Sequence, residues 1–409
     1  MTEWAALRSK TYSSAYSPRR GETRNPFDLS KSPFSIAKTP AQTALAAALS
    51  ANIVPLAYGT ETDISIIGPA MRSGVVGIKP TVGLSSRSGV IPISKHFDTV
   101  GPFGRRVHDA AIGLNAIAGK DTADDATLHP ARPEGLDYCS YLSDKSILKG
   151  ARFGLPWKRC WEMVASDDMK VATKVLDAIR RAGAQIVWTE FPSAEDRIAE
   201  DESGTGNTLF VKVDAYNGIN QYLSKCTNTM IRSLEDVVAY NLENRGTEGA
   251  EPGDHPAFPS GQNNLQEIVK TKGVEDHIYA SALRHIQQKC REEGIDGALK
   301  HPEGDLDALL LCDRKAVGQQ IAAQAGKLHM KTKSFPSLTP GSGYPIVSIP
   351  IGLDEKGIPV AMSLHQTAWK EGALIKWASA IEDMLAGFQG SRRTPTYRNP
   401  MCKKIPVFE

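Results

Sequence analysis

Ser65 is the side chain for which a reaction is easiest to write. It stands between Ile64 and Ile66, ahead of Gly68 and Pro69, in a stretch from Gly59 to Pro102 dense in Gly, Pro, Ser and Thr. A hydroxyl so placed is either an exposed nucleophile or a turn residue, and spacing alone leaves both readings open. Closely set glycines admit φ > 0 and let backbone N–H groups approach a ligand. Other reactive side chains are scattered. The nine histidines show no HExxH and no paired spacing that suggests a metal, and no cofactor is implied. The six cysteines (Cys139, Cys160, Cys226, Cys290, Cys312 and Cys402) contain no CxxC pair and read as ordinary thiols of a reducing compartment.

The elements that must position this stretch are legible on both sides of it. Residues 1–35 are polar and rich in Ser, Arg and Pro, as in an arm or surface loop. Thr39 and Pro40 suit the cap and first position of a helix continued by AQTALAAALS, and Asn52 to Tyr58 reads as a short buried strand feeding the glycine-rich run. Arg106 to Ala118 has helical spacing, with Gly119 as its stop. Strand (Ala151–Pro156), helix (from Ser166, with Val171, Val175, Ile179 and Ala182 on one face) and strand (Ile186–Trp188) predict a parallel pair. From Ser193 to about Val269 the pattern weakens into a partly helical excursion, which either walls a pocket or has no role in binding. A helix around Glu275–Glu293 follows, then an all-apolar strand at Ala308–Cys312. A hairpin of Ile346–Ile351 with Pro359–Leu364 and a helix over Glu371–Leu385 complete the reading.

Composition narrows the function classes. At 409 residues the chain is long enough for a large core, and 48 basic residues against 46 acidic ones give +2 with no basic block. Nucleic acid is therefore not an indicated partner. No apolar run reaches membrane-spanning length and the first residues lack the pattern of a signal peptide, so the cytoplasm is the expected location.

Three runs in fixed order are more specific than any of this. They are Gly59-Thr60-Glu61-Thr62 with Ser65-Ile66 and Pro69, then Gly74-Val75-Val76-Gly77-Ile78-Lys79-Pro80-Thr81 with Gly83, then Asp98-Thr99-Val100-Gly101-Pro102. Together they resemble the amidase signature family, its fungal members above all, over nearly the whole chain. The resemblance implies an α/β fold: one α/β/α domain over residues 1–409 with a central mixed β-sheet covered by helices. It also implies that the N-terminal part of the family domain is missing here and that 193–269 is a variable insertion.

The resemblance further implies hydrolysis of a small carboxamide through an acyl-enzyme on a serine, in nitrogen or secondary metabolism. The family triad is Ser-Ser-Lys, and Ser65 matches its nucleophile. The backbone N–H groups of Thr62, Asp63 and Ile64 match the oxyanion donors, although the family has Gly where Ile64 stands. The bridging serine falls on Ala41, with Ser35, Thr39 and Thr43 nearby but out of register. The lysine belongs to a segment without a match here, and Lys10, Lys31 and Lys38 do not occupy its motif. Lys79 is expected to be structural, Asp98 to fix a turn near the site, and Ile67 stands where many members carry Arg. The partner expected is a small amide substrate, with no nucleic acid and no membrane, and a homodimer is one remedy for apolar surface left by missing elements. Two further readings stay open: a pseudo-amidase that binds a ligand or partner without turnover, and an amide-transferring relative acting on misacylated tRNA, which the neutral charge weakens.

Overall fold

The computed structural model describes residues 7–10, 12, 16–17, 21–28, 43–158, 160–194, 209–312 and 342–387. Among the described residues ten strands are assigned: β1 (Tyr16–Ser17), β2 (Gly21–Glu22), β3 (Ala57–Glu61), β4 (Val76–Lys79), β5 (Thr99–Gly104), β6 (Arg152–Pro156), β7 (Gln185–Thr189), β8 (Ala308–Leu311), β9 (Ile346–Leu353) and β10 (Pro359–His365). The first two form a small antiparallel pair, and the other eight form one sheet in the order β3-β5-β4-β9-β10-β8-β6-β7. Its β7 end is parallel (β8–β6 and β6–β7) and the rest antiparallel, so the sheet is mixed, as the sequence leads one to expect.

The burial of each strand follows from its place in the sheet. β4, β8 and β10 lie inside and are buried at every residue, which is why they read as largely apolar or small-residue runs, with Lys79 and His365 buried at the ends of β4 and β10. β7 is an edge, and its Trp188 is exposed beside Trp157. Alternate residues of β9 serve opposite faces. Val347, Ile349 and Ile351 join a core shared with the helices Val107–Ile117, Ser166–Arg181 and Glu371–Leu385, while Ile346 faces the helices Thr43–Ser50 and Ile67–Ser73. The sheet is thus covered on both faces, an α/β/α arrangement.

A separate helical layer packs beside these. The helices Leu209–Ser224, Leu234–Glu243 and Asn263–Thr271 lie within the expected excursion, and they bury Ala215, Ile219, Leu234, Leu265 and Ile268 together with Leu7. Leu209–Ser224 also shares a core with His277–Cys290 through Phe210, Val213, Tyr279, Ala282 and Ile286, into which Phe97 inserts. That helix therefore belongs to the same layer.

One expectation shifts. The strand foreseen over Asn52–Tyr58 forms over Ala57–Glu61 instead. Asn52 has φ +61 and Ile53 is 73% exposed, so the chain turns there, and Pro55 has no N–H to give a sheet ladder. The capping pair Thr39 and Pro40 lies outside the described residues, and the helix is described from Thr43.

Candidate active site

Ser65 occupies the turn between β3 and the helix Ile67–Ser73. It is 2% exposed, and its Oγ lies 3.4 Å from the carbonyl oxygen of Asp63, to which it donates. The residue before it carries the strain of the turn: Ile64 has φ +60, a left-handed conformation that β-branched residues rarely adopt. The Ile64 carbonyl, turned by that conformation, accepts from Gly68 N at 2.8 Å and so starts the following helix. Gly77 of β4 lies beneath it, where a Cβ would come within 2.7 Å of Ala70 Cβ, so a side chain there would push the helix off the strand.

What holds the turn is a buried carboxylate. Glu61 is fully buried, and its Oε2 accepts from Ile66 N at 2.7 Å and Ile67 N at 3.0 Å, with the Ile64 N–H also facing the carboxylate. Three backbone donors converging on one acidic group fix the loop on either side of Ser65. Burial raises the Glu61 pKa, and the charge of Lys79 and these donors draw it back. Lys79, itself fully buried, donates from Nζ to the carbonyls of Tyr344 at 2.7 Å and Pro80 at 3.1 Å. Burial lowers it to about 8, against the pull of Glu61 and Glu371. Glu371 accepts the Thr81 N–H at 2.7 Å. These contacts give Lys79 a structural task. The sequence names Glu61 only as a letter of a motif, and its position four residues before the serine is the signal that marks it.

A second carboxylate ties the same turn to its neighbour. Thr62 Oγ1 donates to Asp98 Oδ1 at 2.6 Å, while Asp98 Oδ2 accepts from the backbone N–H groups of Ile93 at 2.8 Å and Ser94 at 2.9 Å. Asp98 therefore fixes the turn over residues 93–98. Burial raises its pKa to about 6 in spite of the three donors and the charge of Arg87. From there the hydrogen bonds continue into the helical layer. Ser94 Oγ donates to Asp214 Oδ2 at 2.6 Å, Tyr279 OH donates to Asp214 Oδ1 at 2.8 Å, and His96 Nε2 lies 3.0 Å from Tyr279 OH.

The structure brings Thr62, Asp63, Ile64 and Ser65 into one turn and joins it to Asp98. Lys10 forms an ion pair with Glu267 of the helix Asn263–Thr271. Ser35, Lys31, Lys38 and Ala41 lie outside the described residues. Ile67 is buried with Ile64, Ile66 and Ala70 in an apolar cluster. The excursion reaches toward the turn through Tyr12, which is buried with Ala257 and Phe258 and whose hydroxyl pKa is raised by burial and by the charge of Asp63.

Between the 87–98 loop and the helix Leu209–Ser224 lies a cavity of about 500 Å³. Its lining includes Arg87, Lys95 and Asp98 on one side and Asn217, Gln221, Tyr222 and Lys225 on the other. Arg87 forms a bidentate pair with Asp124, also of the lining, at 2.6 and 2.8 Å. Among the described residues no group of three or more His, Cys, Asp or Glu is placed to hold a metal ion, and no helix is long and apolar enough to cross a membrane.

The buried serine thus sits on a strand–turn–helix of a mixed α/β sheet, and its turn is tied through Thr62 to Asp98 in the wall of the cavity. The chain belongs to the amidase family, a family of enzymes of C–N bond hydrolysis, whose model it matches over residues 1–375. It is 40% identical to a protein named as an amidase from Schizosaccharomyces pombe, covering 100% of this chain and 68% of that one. It is 31% identical to another so named from Arabidopsis thaliana, covering 93% and 66%. The chain thus spans about two thirds of the length of these relatives. Among solved structures, native peptide amidase from Stenotrophomonas maltophilia superposes with a TM-score of 0.80 at 34% identity, over 98% of this chain and 74% of that one. An amidase family protein from Bacillus anthracis does so with a TM-score of 0.76 at 25% identity, over 97% and 68%.

Proposed function

We propose that this protein hydrolyses the C–N bond of a small carboxamide, with Ser65 as the nucleophile. The observation that carries the reading is the turn itself: a left-handed β-branched residue immediately before a buried serine, held in place by a buried carboxylate. Backbone strain of this kind costs about 1–3 kcal/mol and persists where the surroundings enforce it for a task. In the reaction Ser65 Oγ attacks the carbonyl carbon as its proton passes to a base. The tetrahedral oxyanion is met by the backbone N–H groups of Thr62, Asp63 and Ile64, of which that of Ile64 is shared with Glu61. Collapse breaks the C–N bond and the amine leaves with a proton. Water then hydrolyses the acyl-serine ester to the carboxylic acid. Similarity to a peptide amidase supports a carboxamide as the substrate.

A non-catalytic reading draws on Ala41, which carries no hydroxyl at the position in register with the family's bridging serine. On that reading the site binds an amide without turnover. A fluorophosphonate probe and a panel of small primary amides separate the two. The catalytic reading expects covalent labelling at Ser65 and turnover, both abolished by Ser65→Ala. No labelling and no turnover, together with saturable amide binding by calorimetry, would establish the non-catalytic one.

A further inference from the structure

The cavity beside the nucleophile turn has a charge balance of its own. Of its cations, Arg87 is bound by both oxygens of Asp124, and Lys95 Nζ pairs with Glu275 at 2.6 Å. Of its carboxylates, Asp98 accepts three hydrogen bonds and Asp214 accepts from Ser94 and Tyr279. Lys225 has no carboxylate partner among the described residues. It stands one residue past the C-terminal end of the helix Leu209–Ser224, whose Asn217 and Gln221 share one face, and all three line the cavity. Tyr222 lies in the same lining. Each charged group of the lining is thus hydrogen-bonded or ion-paired except Lys225, which is exposed at the rim with neutral hydrogen-bonding groups next to it.

We infer that this cavity is a subsite for a carboxylate on the substrate, with Lys225 as its counter-charge and Gln221 and Tyr222 as neighbouring hydrogen-bond partners. The inference rests on the proposed amide hydrolysis, since Asp98 belongs both to the cavity wall and to the hydrogen bond that holds Thr62. The substrate class is then an amide that bears an acid group at its far end. A single unpaired positive charge matches the single negative charge of a carboxylate, and a neutral amide gains nothing from it.

The test compares three acids, succinamate, glutaramate and adipamate, each with its own diamide. This series varies the distance from amide to acid. For the best-fitting length the wild-type protein is expected to prefer the acid about fivefold in kcat/KM, corrected for the second reactive end of the diamide, as suits a solvent-accessible ion pair. Lys225→Glu should abolish or reverse that ratio, added salt should shrink it, and Lys300→Glu, a charge change outside the cavity lining, should leave the ratio as in wild type. If neither compound is turned over, the same pairs are titrated calorimetrically. A preference in Kd that depends on Lys225 then supports the subsite, while the missing turnover counts only against catalysis. Equal treatment of acid and diamide at all three lengths, or a preference that survives Lys225→Glu, overturns the inference.

Discussion

Ile64 sets packing against backbone strain at a single residue. Its side chain is 7% exposed within the cluster of Ile66, Ile67, Ala70 and Ala46, and removing such a side chain costs about 2–5 kcal/mol. Its φ of +60 costs about 1–2 kcal/mol for an L-residue, less than the packing gains. Ile64→Gly should therefore lower stability in spite of relieving the strain. Ile64→Ala loses nearly the same packing and keeps the strain, so Gly should be the more stable of the two by about 1 kcal/mol, reversing their usual order. Urea unfolding of the two variants checks this, and Ala more stable than Gly would mean that the turn relaxes out of the left-handed region. The strain was only half legible in the chain. A β-branched residue at a position where the family has Gly flags a conflict, but φ at that position is a property of the folded turn.

At the scale of elements, Asp98 joins the turn after β3 to the loop that precedes β5. Its pKa of about 6 in the fold lies above the ordinary value of 3.8. The folded state thus holds the Asp98 proton more tightly than the unfolded chain does, and the resulting stabilisation is present at acid pH and lost as pH rises through about 6. Asp98→Asn has no such dependence. Between pH 5 and pH 8 the stability difference between variant and wild type should therefore move in favour of the variant by about 1 kcal/mol, read from unfolding curves at the two pH values. A difference that does not move with pH would show that the three donors keep the carboxylate ionised throughout. Most of these elements were legible beforehand. The stripe of Ser166–Arg181 carries a helical period, the apolar run Ala308–Leu311 is short and flanked by Asp, and turn residues separate β9 from β10. The strand at Ala57–Glu61 was placed too early because Ile53, Val54 and Leu56 look like core, whereas Asn52 reverses the chain and leaves Ile53 in solvent. Hydrophobic type predicts burial only where the backbone continues in the same direction.

Across the whole molecule the candidate site joins an apolar cluster on the mixed sheet, which holds Ile64, Ile66 and Ile67, to one inside the helical layer. The 93–98 loop is tied to the first by the Thr62–Asp98 hydrogen bond and belongs to the second through Phe97, whose ring meets Phe210 edge to face at 5.2 Å. The excursion after Ser193 was the least legible part of the chain, because its helices bury their apolar faces against one another and against Leu7, a partner about two hundred positions away. The Asn217, Gln221 and Lys225 stripe belongs to the same difficulty: all three residues stay exposed, and only the loop across from them makes their face one wall of a cavity.

The Ile93 and Ser94 amides, both bound to a single Asp98 oxygen, make this joint readable in deuterium. Each can exchange its hydrogen only when the carboxylate releases it, so their uptake rates measure how often the 93–98 loop opens around Asp98. Both amides should slow together when an amide ligand fills the neighbouring cavity. If they slow without Ile66 and Ile67, whose amides depend on Glu61, the loop opens independently of the turn that carries Ser65.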